Sequence, residues 1–430
     1  MCIRDRSYTG VLTLTTGATT LTSTGSGALT LDKAVDGAQV LTLNTSGATT
    51  LNGTIGATTA LASLTTDAAG TLALNGSSVR TTGVQTFNDV ATLVANTVLT
   101  TSNSTVAFGS SLNSANATAR NLTIDSGTAN ITLAGLVGAT NALGNVELNS
   151  TGTTTLGGAF TSGILKTNAG GSTAINGGNV ATTGGQTYND AVTLNAATTL
   201  KTTTGAVTFN STVNSANATR RDLTVEAGEK ADITLVGTAG AANALGNVTL
   251  KTGGATTLGG ALTADLLATD AGGTTAINGG RVTTTNGQTY DDAVTLGAAT
   301  TLASLNGGNI ALNSTTNGAQ SLTIDTFGTT IFGGAVGDTD KLTSLTTNTG
   351  GTTEINGGVV STTGTQTYGD TLRLGANSVL TSGGGAVLFS SSVDSRDSTR
   401  RDLTINAGVG DVTLTGPIGT ANALGAVAIN

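Results

Sequence analysis

Four copies of one short motif, Gln-Thr-aromatic-x-Asp, set an amide, a hydroxyl, a ring and a carboxylate close together: Gln85 to Asp89, Gln186 to Asp190, Gln288 to Asp292 and Gln366 to Asp370. Their rings are Phe87, Tyr188, Tyr290 and Tyr368. A row of such rings is a set of platforms on which sugars stack, so these four are the candidate binding residues. The same residue types also suit the corner of a repeated fold, with the ring packed inward and Gln and Asp capping backbone groups at the turn. On a stack of windings, copies four or five windings apart stand ~19 to 24 Å from each other. They do not converge on one site.

Other charged clusters recur less regularly. Arg220-Arg221-Asp222 and Arg400-Arg401-Asp402 occupy matching positions and read either as a basic contact point or as a solvated turn with a local ion pair, which adds little stability. Glycoside cleavage needs two acids converging at ~5 to 9.5 Å. Asp291 and Asp292 are adjacent, so a strand sends them to opposite faces. Asp338 and Asp340 share a face but lie in a Gly-flanked segment with no aromatic nearby. The chain has no His, and its single Cys is Cys2. Ser-His, Cys-His and zinc chemistry are therefore excluded within it, as is an intrachain disulfide. A GGxGxD calcium repeat is absent, and the Gly-Gly pairs precede strands rather than helices, which removes a phosphate loop. No catalytic, cofactor or metal residue is assigned, and the chain is not expected to be an enzyme.

The elements that carry these residues repeat. The motif's Gln recurs at positions 85, 186, 288 and 366, so successive spacings are 101, 102 and 78. A Leu-Thr pair begins at Leu41, Leu122, Leu223, Leu322 and Leu403, at spacings of 81, 101, 99 and 81. The long units differ from the short ones by a block, Thr128 to Leu148 or Glu229 to Leu250. A third copy starts near Val409. If the chain winds with about 20 residues per turn, a whole winding can be dropped and its neighbours still stack, whereas a one-residue slip would turn a strand's apolar side outward. Each block has the length of one such winding. Long units then correspond to five windings and short ones to four.

Within units the pattern is β. Ala191–Leu194 (AVTL), Ala206–Phe209 (AVTF), Asp222–Val225 (DLTV) and Asn247–Leu250 (NVTL) alternate apolar with Thr or another polar residue. Helical periodicity is absent. Asn-Gly at Asn176, Asn278 and Asn356, together with Gly-Gly pairs, supplies turns. Short strands of this kind fit either hairpin-joined sandwiches or a parallel β-helix. The winding-sized block favours the second: an all-β solenoid of ~21 windings at about 20 residues each. Thr on outer faces would form ladders, and Asn at turns would stack.

Composition bounds the rest. In 430 residues there are 63 Gly and one Pro; 10% are charged, 37% are apolar and the net charge is −8. Regular apolar runs and a modest charge argue against disorder. Dispersed charge and a pI near 4.5 argue against nucleic acid. No apolar run approaches the ~18 residues of a membrane helix. Residues 1–7 (MCIRDRS) match no repeat and read as a scar-like, non-native start, leaving 8–430 as one continuous solenoid of 80- to 100-residue units. Both ends fall inside a unit, as expected of a fragment.

The recurring pieces GGTTAINGG, TTGGQTYNDAVTL, GAVTFNSTV and NALGNVTL resemble large bacterial β-strand-repeat proteins of the filamentous haemagglutinin-like and autotransporter-adhesin type. The resemblance covers nearly the whole chain after Ser7. It implies a right-handed parallel β-helix, secretion to the cell surface, and attachment to glycans or proteins of host or neighbouring cells. The expected function is thus the stalk or passenger region of an adhesin. Two alternatives stand beside it: a β-helical polysaccharide-degrading enzyme, which needs a unique acidic groove, and an ice-binding protein, which needs Thr-x-Thr on one face of consecutive windings.

Overall fold

The computed structural model describes residues 5–430; Met1 to Arg4, including Cys2, lie outside the described residues. The described residues divide into two compact units, 5–211 and 212–430. Each is a parallel β-solenoid without helix, and together they make about 20 turns with paired strands about 21 residues apart.

Alternation of apolar and small polar residues builds the wall. In Ala191–Leu194 and in Thr274–Ile277 every second side chain is buried. The large apolar members of the buried set are mainly Leu, Ile, Val and Phe, each contributing ~1.5 to 3 kcal/mol, and threonines such as Thr275 are buried among them. Three strands make one winding, and like strands pair in register with the next winding to form three ladders. In the first unit one ladder runs Gln85, Val106, Ile131, Thr154, Thr173 and Val192. A second passes through Val79, Leu99, Ile124 and Leu148. The last joins Leu29, Thr49, Leu72, Ala91 and Leu112. These pairings are all parallel, so hairpin-joined sandwiches are excluded. Arg6–Tyr8 already pairs with Leu29–Leu31, so the ladders begin inside the stretch read as scar-like.

Asn-Gly pairs turn corners rather than hairpins. The amides of Asn176 and Gly177 both donate to the Leu156 carbonyl of the winding below. A Cβ on Gly177 would come within 2.2 Å of the Gly158 carbonyl, and Gly178 sits at φ +69°. Only glycine fits either position, and for that reason INGG recurs.

The repeat and the winding are out of step. From Gln85, five windings up the ladder lead to Val192. Val192 lies just past Gln186, which pairs instead with Leu165 and Val207 in a different ladder. In the second unit, four windings from Gln288 lead to Leu372. Leu372 lies just past Gln366, which pairs with Leu345 and Val387. A long unit is therefore five windings less one strand, and a short unit four windings less one strand. The expectation of whole windings per unit is corrected to this. The difference between them is still one winding. Thr128 to Leu148 holds Ile131–Leu133, the bridge residue Val137 and most of Leu143–Ser150, one strand position in each ladder.

Candidate functional site

Phe87, Tyr188, Tyr290 and Tyr368 are all 0% exposed. Their strands alternate in burial so that Gln and ring point inward and the central Thr points outward. Within the lumen Tyr188 stacks on Phe209 at 5.1 Å, Tyr368 on Phe389 at 5.2 Å and Phe87 on Phe108 at 4.8 Å. No ring face is open to solvent, so none of the four offers a stacking platform to a surface sugar. Each belongs to a bracket that ties three strands together. Gln186 Nε2 donates to the carbonyls of Val180 and Lys201, at 3.1 and 3.0 Å, and to the Thr182 hydroxyl. Gln288 Nε2 repeats this with Val282, Ala303 and Thr284, and Gln366 Nε2 with Val360, Thr381 and Thr362. Tyr188, Tyr290 and Tyr368 donate their hydroxyls to the Oε1 of the same Gln at 2.9, 3.0 and 2.9 Å. Burial holds these phenols well above their ordinary range. Phe87 has no hydroxyl, and Gln85 Oε1 is left buried without a partner among the described residues.

The motif's last residue is also buried. Asp190 accepts from the hydroxyls of Thr167 and Thr173, and Asp292 from those of Thr269 and Thr275. Asp370 and Asp89 accept from the amides of Gly351 and Gly70. Burial raises all four carboxyls above the usual range, and the hydrogen bonds oppose it. Asp291 points the other way, exposed, and accepts from Asn313 Nδ2.

Arg220 does not pair with the adjacent Asp222. It reaches far along the chain to bond Asp265 and Thr285. Asp222 caps the next winding instead, accepting from Asn247 N at 2.7 Å, as Asp402 does from Ala426 N. Arg401 pairs locally with Asp397 at 3.6 Å. The amide of Thr399 and then the neighbouring arginines hold Asp397 below its usual range. Asp338 and Asp340 lie exposed in one loop whose amides at Thr339 and Asp340 donate to Asn317 Oδ1. Among the described residues no cluster of three or more His, Cys, Asp or Glu forms a metal site, and no helix is long and apolar enough to cross a membrane.

One outward Thr column runs Thr20, Thr42, Thr65 and Thr86, breaks at Ala107, resumes at Thr132 and Thr155, and breaks again at Ala174. Beside it, Thr153 pairs with Ser172 and then Ala191. The Thr-x-Thr pattern on consecutive windings that ice recognition requires is not met here.

What does recur on the outside is a pair of loops. After Leu112–Ser114, Val213–Ser215 and Val393–Ser395 the chain bulges before rejoining the wall. In each case the serine hydroxyl donates to a carbonyl in the NALG loop of the next winding (Ala142, Ala244, Ala423) and accepts from the amide of Arg120, Arg221 or Arg401. The signal for these loops was the recurrent Asn-Ser or Asp-Ser before an exposed polar stretch, which attracts less notice than an aromatic motif. No protein-family model, curated protein or solved structure matches the chain.

Proposed function

We propose that this chain is an attachment scaffold, the stalk or passenger region of a secreted or surface-anchored bacterial adhesin that meets glycans or proteins of other cells at the cell exterior. The observation that carries this reading is the division of the repeat into an inside and an outside. The amide, ring and carboxylate of the recurring motif are all spent in the lumen as a bracket. What the repeat offers to solvent is a loop pair held by the same serine in three copies. Because the repeat runs one strand short of whole windings, Leu223, Leu322 and Leu403 of the second unit fall in three different ladders. The second unit's two loop pairs accordingly follow strands of different ladders, Val213 with Ala239 and Leu262 and Val393 with Leu372, which suits weak contacts made from more than one side.

Beads coated with the whole chain are expected to adhere to cultured cells or immobilised glycans, more strongly as coating density rises. Absence of adherence at every density would remove the reading. Release of reducing ends from a polysaccharide panel would replace it with catalysis.

A further inference from the structure

Two stretches of the chain are copies of one another, and one difference between them changes the chemistry of the outer wall. In the second unit Arg220 lies along a corner and bonds the Asp265 carboxylate and the Thr285 hydroxyl. In the first unit the equivalent positions are Ala119, Gly163 and Thr183. The arginine and its carboxylate are both gone, and only the threonine remains. Where the guanidinium would lie, the first unit has an open cleft of about 280 Å³ running along the corner over four windings, from Ala142 on the NALG loop to Thr203.

The lining says what such a cleft takes. Most of the lining is apolar, made of Ala142, Ala181 and the threonine methyls, and hydroxyls are its smaller part. Those of Thr161 and Thr203 have no hydrogen-bond partner among the described residues, and Thr183 donates to the Gly163 carbonyl at 3.3 Å, keeping its lone pairs. Lys201 stands at the rim, where the copy has Ala303. With the carboxylate removed, a cationic occupant like the one in the second unit is disfavoured. A volume just below the ~300 Å³ of drug-sized pockets suits one or two small rings. The geometry points to a saccharide ring as the ligand: its hydroxyls exchange hydrogen bonds with Thr161, Thr183 and Thr203, and its apolar face rests on the two alanines and the threonine methyls. This names a ligand class for the attachment scaffold and rests on that reading.

The copy itself supplies the test. Methyl glycosides of neutral hexoses and the matching hexuronic acids are titrated into the whole chain and followed by saturation-transfer NMR in the absence of cells. Transfer to ring protons with millimolar affinity is expected. The double substitution Ala119→Arg with Gly163→Asp, which rebuilds the plug of the second unit, should weaken binding at least tenfold with an unchanged β circular-dichroism spectrum. A Cβ at Gly163 comes within 3.1 Å of the Gly144 carbonyl, so the backbone there must give slightly. Thr183→Val, which adds no bulk, is the second variant and should weaken binding severalfold. Preferential binding of the uronates assigns the acidic sugar, and equal binding of both assigns the neutral ring. No transfer from any sugar, or transfer untouched by both the plug and Thr183→Val, overturns the site. Bead adherence is scored separately and does not depend on this result.

Discussion

Two copies of one stretch, roughly 119–203 in the first unit and 220–305 in the second, agree inside the wall and disagree outside it. Inside, Gln186 and Gln288 bond the same three partners, and Tyr188 and Tyr290 return to the same amide oxygen. Outside, Ala119 and Gly163 face Arg220 and Asp265. The lesson is about freedom to vary. A lumen residue is held by the winding below and the winding above, so a change in it leaves buried polar groups unpaired. An outer residue answers mainly to water and can be exchanged with its partner as a pair.

The strongest way to break this comparison is to remove the bracket in each copy. Gln186→Ala and Gln288→Ala should each destabilise by about 3 kcal/mol, since two carbonyls and a phenol lose their partner and a void opens. Urea unfolding of the two variants should give equal losses within error; unequal losses would show that the insides are not equivalent.

The buried carboxylates come next. Asp190 and Asp292 have folded-state values raised by burial above the ordinary one. A raised carboxyl binds its proton more tightly when folded, so its stabilisation is complete below the unfolded value of 3.8 and is lost as pH rises through the folded value. The urea midpoint should therefore fall from pH 4 toward pH 7 through these groups. Asp190→Asn and Asp292→Asn should flatten that slope in proportion, and a slope untouched by both would refute the assignment.

A smaller effect sharpens the aromatic row. Phe87→Tyr gives Gln85 Oε1 the donor that Tyr188 gives Gln186, and should stabilise by about 1 kcal/mol in the same urea experiment. Loss of stability would mean that the ring, stacked at 4.8 Å and inclined 28° to Phe108, sits too differently to place the hydroxyl. The smallest effect is expected outside. Arg220→Ala removes a pair whose side chains are 39% and 31% exposed, and should shift stability by under ~1 kcal/mol. A loss as large as that of Gln288→Ala would erase the distinction between the two sides of the wall.

Much of the solenoid was legible in the chain itself. Strand identity follows from local alternation, which Ala191–Leu194 or Thr274–Ile277 displays without reference to anything distant. The size of one winding was legible as well, because Thr128 to Leu148 and Glu229 to Leu250 are gained or lost as wholes. INGG marks corners that only glycine can turn. From the residues alone, then, come an all-β repeat, the length of its winding and the absence of histidine.

Which way a side chain points at a corner was not legible. Tyr188 reads as a platform or as a plug, since so short a strand gives too little pattern to fix inside from outside, and its burial depends on Phe209 in the next winding. The phase between repeat and winding was hidden for a related reason. Spacing counts residues, while phase counts strands. The winding from Thr154 to Thr173 is short and that from Leu99 to Ile124 is long, so the two counts blur into one another until register is seen. Arg220 finding Asp265 past its own near neighbour Asp222 is a matter of the same stacking, which brings side chains 45 residues apart in sequence within bonding reach. Local alternation is a property of the polypeptide, but its partners across the wall exist only once the windings lie on one another.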